Sequence, residues 1–249
     1  MEEDPLPLLY QDDFLVAVHK PSGLLVHRSP IDRHETRFAL QILRDQLGQW
    51  VYPVHRLDKP TSGVLLFALD STIARALSDR FAAGEVDKHY LAVVRGFCPE
   101  SGRIDHALKD KADPLADRDR SQPAVAREAL TDYRRLGTVE LPVEVDRYPS
   151  SRYSLVDLKP ITGRKHQLRR HMKHIGHPMI GDAKHGKGVH NRYFQSRWDC
   201  HRLLLACYAM GFEHPSTGEY LRVEAPVTGS FLRVVGALGW EALLPGFRQ

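Results

Sequence analysis

The sequence is poor in cysteine, has no long apolar run and shows no internal repeat, and each shortage removes a class of protein. Its three cysteines, Cys98, Cys200 and Cys207, form no C-x-x-C pair. A disulfide framework is therefore not expected, and a reducing cytoplasm fits best. No stretch approaches the roughly 18 apolar residues that a membrane-spanning helix requires, so no membrane association is expected. The opening MEEDPLPLLY is acidic and lacks both a basic and an apolar segment, so it does not read as a signal peptide. A fixed repeat period is absent, which excludes solenoids and propellers. G-x-G-x-x-G, the P-loop and H-E-x-x-H are absent too, which argues against dinucleotide, nucleotide-phosphate and zinc-protease sites.

What is present describes a globular chain. Hydrophobic residues make up 42% and charged residues 27%, values that exclude global disorder. The net charge is +4 and the pI about 9.0, which permits nucleic-acid binding without requiring it. The distribution is more informative. From Arg164 to His201 the chain is rich in Arg, Lys and His and poor in acids, so it can form a local positive surface for phosphates. A solvated basic face is the plainer reading of the same stretch.

Short apolar runs read as strands at Leu8 to Tyr10, Phe14 to Val18, Leu24 to Val26, Val51 to Val54 and Lys88 to Arg95. Val64 to Leu69 is apolar throughout and reads as a buried strand. Phe38, Ile42, Leu43 and Leu47 have helical spacing over Thr36 to Leu47, with Gly48 as the stop. A second helix carries Ala74, Leu77 and Phe81 between an N-cap at Ser71 and a stop at Gly84. Leu108 to Arg127 is polar with two prolines and reads as an exposed loop or insertion. Strands resume at Leu130 to Leu136 and Tyr153 to Lys159. A helix follows over Arg164 to Ile175, with Leu168, Met172 and Ile175 as its apolar stripe. A basic, glycine-containing loop covers Gly181 to Asn191. A hairpin pairs Leu203 to Phe212 with Glu219 to Ala225, and a last helix starts near Ser230. Hairpin-like strand pairs with few long helices between them predict an α+β fold with a mixed, mostly antiparallel sheet.

The densest polar segment is His55-Arg56-Leu57-Asp58-Lys59-Pro60-Thr61-Ser62-Gly63, between two strand-like runs. Loops on a rigid scaffold are where reactive side chains are held. Asp58 stands among three basic residues, which keep a carboxylate ionised and available as a nucleophile. Taken alone, the segment also reads as a charged turn. Histidines at 166, 171, 174 and 177 make a zinc site conceivable, with 171 and 174 on one helix face, but there is no H-E-x-x-H and no cysteine nearby before Cys200, so no metal site is expected.

HRLDKPTSG closely resembles H-R-L-D-x-x-T-S-G, the signature of the large pseudouridine synthase family that includes the ribosomal A-type enzyme. Two further segments match in order: Lys88-His89-Tyr90 resembles K-x-Y, and Thr162 to Arg169 resembles T-G-R-x-H-Q-[IL]-R. The opening Phe14 to Gly23, with its Lys-Pro-x-Gly turn, also looks like the family's start, so the resemblance runs from about Leu8 to Val227. It implies a catalytic fold with an active-site cleft across the central sheet, in a single domain over 1–249. The family start lies within about the first dozen residues, which leaves no room for an N-terminal domain like ribosomal protein S4.

The resemblance implies that the protein isomerises a uridine in RNA. Asp58 would be the nucleophile or base. Tyr90 would stack on the uracil and take a proton, directly or through a water. Arg169 would pair with Asp58. Substrate contacts would fall to Lys20, His55, Arg56, Leu57, Thr61, Arg164 and Leu168. No atoms are gained or lost in the reaction, so no cofactor is required. Pro178 to Asp182, then His185-Gly186 and Asn191-Arg192, resemble a subgroup that modifies tRNA, which implies uridine 65 in the T-stem region. Lys59 departs from that subgroup's usual Arg, keeping charge but losing the planar fork. An rRNA target, or a non-catalytic RNA-binding or RNA-folding protein on the same fold, are the competing readings. No obligate protein partner is expected.

Overall fold

A computed structural model of the protein describes residues 4–28, 34–109 and 125–246. In chain order the strands are β1 (Leu8–Gln11), β2 (Leu15–Lys20), β3 (Tyr52–Pro53), β4 (Ser62–Ala68), β5 (Asp87–Arg95), β6 (Ser101–Asp105), β7 (Leu108–Lys109), β8 (Ala126–Arg127), β9 (Leu130–Leu141), β10 (Ser151–Pro160), β11 (Leu205–Glu213) and β12 (Tyr220–Glu224). The helices are α1 (Ala39–Leu47), α2 (Ser71–Ala83), α3 (Gln167–His174), α4 (Gly188–Trp198) and α5 (Gly229–Ala237). The main sheet runs β1-β2-β4-β11-β5-β10-β9-β6, with β12 beside β11 and β3 beside β4. Its pairings are antiparallel except β4 with β11, which are parallel. The expected mixed, mostly antiparallel α+β sheet is what forms.

Period-two alternation sorts the strands onto two covered faces. Val64, Leu66 and Ala68 of β4 enter one apolar cluster, with Leu77 of α2, while Leu65 and Phe67 enter another with Ile42 and Leu43 of α1. Ala92 and Val94 of β5 pack with Leu168 and Met172 of α3; Leu91 and Val93 pack with Phe194 of α4 and Phe231 of α5. Both faces of the central strands are dry, which explains the unbroken apolar run in β4.

Several local expectations are corrected. The cap of α2 is Asp70, whose carboxylate accepts from the Thr72 and Ile73 amides, and not Ser71. Leu24 to Val26 makes only an isolated bridge, Leu25 with Phe38. α3 begins at Gln167 and not Arg164, because His166 takes a left-handed backbone conformation. The loop expected through Asn191 becomes α4 from Gly188. Of the polar stretch 108–127, residues 110–124 lie outside the described residues; its two ends pair as the β7–β8 ladder. Among the described residues no helix is long and apolar enough to cross a membrane.

Candidate active site

The loop before β4 is held from both sides. Thr61 N–H donates to the Asp58 carbonyl at 2.9 Å and closes a turn around the motif's centre. The Lys20-Pro21-Ser22-Gly23 turn grips the loop from outside. Gly23 N–H donates to Lys59 O at 2.8 Å, and the Ser22 hydroxyl donates to Pro60 O at 2.7 Å. Lys20 is fully buried, and its ammonium donates to the carbonyls of Pro21, Leu24 and Lys59. Burial and then Arg202 pull Lys20 down to about 7, against the opposing charge of Asp58. Leu57 pins the loop into the core, at 4% exposure. The motif's glycine has a steric reason: at Gly63 φ is +116°, and a β-carbon would stand 2.0 Å from the Cys207 carbonyl of the parallel neighbour β11.

Asp58 projects from this loop toward α3. Its Oδ2 accepts from Arg169 Nη1 at 3.0 Å. Arg169 is itself held on its other side, where Nε and Nη2 donate to the two oxygens of Asp182, both at 2.7 Å. Asp182 Oδ1 also accepts the Lys184 and His185 amides, each at 2.9 Å. The Asp182 side chain is completely buried and that of Arg169 is 6% exposed, whereas the Asp58 side chain is 22% exposed. The chain thus buries an arginine with one permanent counter-ion and leaves a second, reachable carboxylate at its edge. Burial opposes both buried charges, but Asp182 and then Asp58 raise Arg169, and the Arg169 bonds and two amides lower Asp182.

A cavity of about 430 Å³ opens over Asp58, lined by Leu57, Tyr90, His166, Leu168 and Arg169 among others. That volume lies in the range of small-molecule sites, about 300–1,000 Å³. Tyr90 comes from β5 and packs between two apolar clusters of one sheet face. Burial, and then Cys207, hold its phenol well above the ordinary range, so it is neutral at physiological pH. A wider cleft of about 1350 Å³ runs on the other side of the loop; it shares Arg169 with the first cavity and has Asp182 in its own wall.

The residues marked in the sequence divide into four groups. Asp58 and Arg169 meet directly, and Tyr90 lines the same cavity. Leu57, Thr61 and Leu168 are buried and form its floor. Arg56 is exposed, lines the cavity and makes no hydrogen bond or ion pair among the described residues, so its fork is available. Arg164 also lines the cavity, with Nε donating to the Glu128 carbonyl at 3.0 Å. Lys20 and His55 are held in the scaffold. His55 stacks on Phe81 with centroids 4.7 Å apart, and its Nε2 accepts the Leu66 amide at 3.0 Å.

Sequence reasoning passed over Asp182, Gln167 and Lys88. Asp182 ended a quoted motif, but nothing local tells that its carboxylate meets Arg169. Gln167 stitches the loop before α3: Oε1 accepts from Thr162 and the Arg164 amide, and Nε2 donates to Leu130 O and Thr131. Lys88 is buried beside Tyr90, with its ammonium lowered by burial. Among the described residues no group of three or more ligand side chains is placed for a metal. His171 is taken by Thr131 and the His106 carbonyl, and His174 stacks on His106.

A reachable carboxylate is thus locked to a buried arginine in a cavity that Tyr90 also lines. A sequence-family profile described as RNA pseudouridylate synthase matches residues 14–174, which include Asp58, Tyr90 and Arg169. The chain belongs to the RNA pseudouridylate synthase family. The more particular likeness is to proteins named tRNA pseudouridine synthase C. The one from Vibrio parahaemolyticus is 48% identical over 95% of this chain and 96% of its own length. That from Haemophilus influenzae is 50% identical over 95% of this chain and 99% of its own. Among solved structures, Human RNA Pseudouridylate Synthase Domain Containing 4 superposes with a TM-score of 0.70 at 25% identity, covering 94% of this chain and 93% of that one. Domain Containing 1 gives 0.68 at 28%, covering 91% and 86%.

Proposed function

We propose that the protein converts one uridine of a tRNA to pseudouridine, at position 65 in the T-stem region, and that Asp58 starts the reaction. The observation that carries this reading is the Asp58–Arg169 pair in the wall of a nucleoside-sized cavity, with Asp182 holding the arginine from behind. The likeness to tRNA synthases over nearly the whole chain supports the substrate class. Its three cysteines are free and buried, which suits the cytoplasm, where tRNA is found.

In the reaction the N1–C1′ bond breaks, the uracil rotates, and a C5–C1′ bond forms. The proton on C5 leaves and N1 gains one, so the product is an isomer. Asp58 can begin it by attack on the sugar or base, or by taking the proton at C2′ to give a glycal. Arg169 holds the carboxylate in one orientation while Asp182 fixes the guanidinium, so no ordering cost falls on the reacting complex. Tyr90 offers a ring face to the uracil. As a neutral phenol it can accept the C5 proton only while passing its own on, or it can orient a water that does so.

The target base must leave its helix to reach Asp58, at a cost of a few kcal/mol. Arg56, exposed at the cavity mouth, suits the gap it leaves. The wider cleft supplies phosphate contacts. In its lining Glu35 pairs with Lys59, Asp182 with Arg169 and Asp199 with Arg233, which leaves Lys184 and Arg202 without a carboxylate partner among the described residues.

Purified protein tested on RNAs carrying 5-tritiated uridine decides this. Tritium release from tRNA transcripts, absent with Asp58→Asn, supports the reading. Release only from rRNA fragments overturns the tRNA substrate and keeps the chemistry; no release from any RNA overturns both.

A further inference from the structure

His166 stands next to the Asp58–Arg169 pair. Its backbone is left-handed, with φ 54° and ψ 28°; Asp199 is the one other non-glycine residue with positive φ among the described residues. A β-carbon makes that region unfavourable, and such residues persist at sites where the surroundings hold them. Here the conformation places the imidazole in the cavity wall with Nε2 3.9 Å from Asp58 Oδ2. Nε2 has no hydrogen-bond partner among the described residues, while Nδ1 lies 3.0 Å from His185 Nε2.

One proton must sit between those two nitrogens. If His166 supplied it, a neutral ring would turn the Nε2 lone pair toward the Asp58 carboxylate. If His185 supplies it, His166 carries its proton on Nε2 and presents an N–H beside that carboxylate. The negative charge favours the second arrangement. The charged and titratable groups around the ring are Asp58, Arg169, Lys184 and His185; burial outweighs the pull of Asp58, and the ring is held down at about 4, so it is neutral in the working range. The cavity therefore contains a neutral N–H donor beside the nucleophile with no acceptor of its own.

The substrate supplies one. On the two sugar routes, attack at C1′ or removal of the C2′ proton, the Asp58 oxygen must reach one of two bonded ribose carbons. The 2′-oxygen is attached to one of them, close to the His166 N–H. Resting on the isomerase reading of this site, we propose that His166 Nε2–H donates to the 2′-hydroxyl of the extruded nucleotide, and that His185 is the positioning residue that fixes the required tautomer. The pair then distinguishes ribose from deoxyribose at the reacting position, since the 2′-hydroxyl is what separates the two sugars.

The test compares single-turnover tritium release from tRNA carrying ribo- or 2′-deoxyuridine at the target. Wild type is expected to favour the ribo target by about tenfold or more, the value of one well-made hydrogen bond. His166→Gly removes the donor and relieves the left-handed backbone, so it is expected to raise the melting temperature while the discrimination falls toward one. His185→Phe leaves the His166 backbone in place and is expected to lose discrimination in kcat, with the Kd for whole tRNA unchanged. Full discrimination retained in both variants overturns the proposal. Wild-type release from the ribo target tests the isomerase reading by itself, so the two failures are separable.

Discussion

Asp58 depends on an arginine that the chain supplies 111 residues later, and that arginine depends on a carboxylate 13 residues further on. Removing Asp182 leaves the Arg169 charge buried with only Asp58 to satisfy it. Breaking one partner of a buried pair typically costs about 3–5 kcal/mol. Asp182→Ala is expected to lose stability on that scale in urea unfolding. Asp182→Asn is expected to fold and to lower kcat more than it changes KM. An unchanged kcat in Asp182→Asn would mean that the second carboxylate is structural only.

Histidine burial sets the acid limit of the fold. His55 is lowered to about 3, and His166 and His190 to about 4, mainly by burial. In the unfolded chain these rings take up protons near pH 6.5, while the folded protein keeps them neutral until far lower pH. The unfolded state therefore binds more protons across that window. Stability should fall as pH drops from about 6.5 toward 4 and be fully present above it. Urea midpoints at pH 7, 6 and 5 check this; a flat profile would show that the rings protonate in place.

At the scale of elements, what the sequence reveals depends on whether a local signal agrees with the fold. The apolar run of β4 and the glycine-stopped helices α1 and α2 are legible because periodicity and stop residues coincide. α4 is not. Its sequence GVHNRYFQSRW opens on glycine and has no clean apolar stripe. It is fixed from outside, by Phe194 packing edge-on against Tyr153 of β10 and in one cluster with Phe231 of α5. The late start of α3 is likewise set by His166, whose left-handed backbone no propensity predicts. The site shows the same division. Asp58 is marked by its basic neighbours and, with Tyr90 and Arg169, by motif resemblance, while the partnership of Arg169 with Asp182 needs the fold, since it joins α3 to the loop that follows it. Gly63 belongs to this scale too. Gly63→Ala is expected to destabilise by more than about 1 kcal/mol, because both its φ and the approach of Cys207 forbid a β-carbon. An unchanged thermal midpoint would show that the β4–β11 contact is looser than described.

Across the whole molecule, the loop that carries Asp58 separates a nucleoside-sized cavity from a larger cleft, and Arg169 stands in the wall of both. This arrangement suits a substrate that offers one extruded nucleotide and a long charged backbone. Lys184, exposed in the larger cleft, is expected to meet a phosphate. Lys184→Ala should weaken tRNA binding, leave kcat unchanged, and reduce the slope of log Kd against log salt by about one. An identical slope would place the backbone elsewhere.

The central claim is that one carboxylate, Asp58, drives isomerisation of a tRNA uridine. Its most direct test is carbodiimide-stop mapping of pseudouridine in total RNA from cells that have, lack, or carry only Asp58→Asn enzyme. The account predicts that one T-stem tRNA signal disappears without the gene and stays absent with Asp58→Asn. A signal fully restored by Asp58→Asn, or none that depends on the gene, would contradict it.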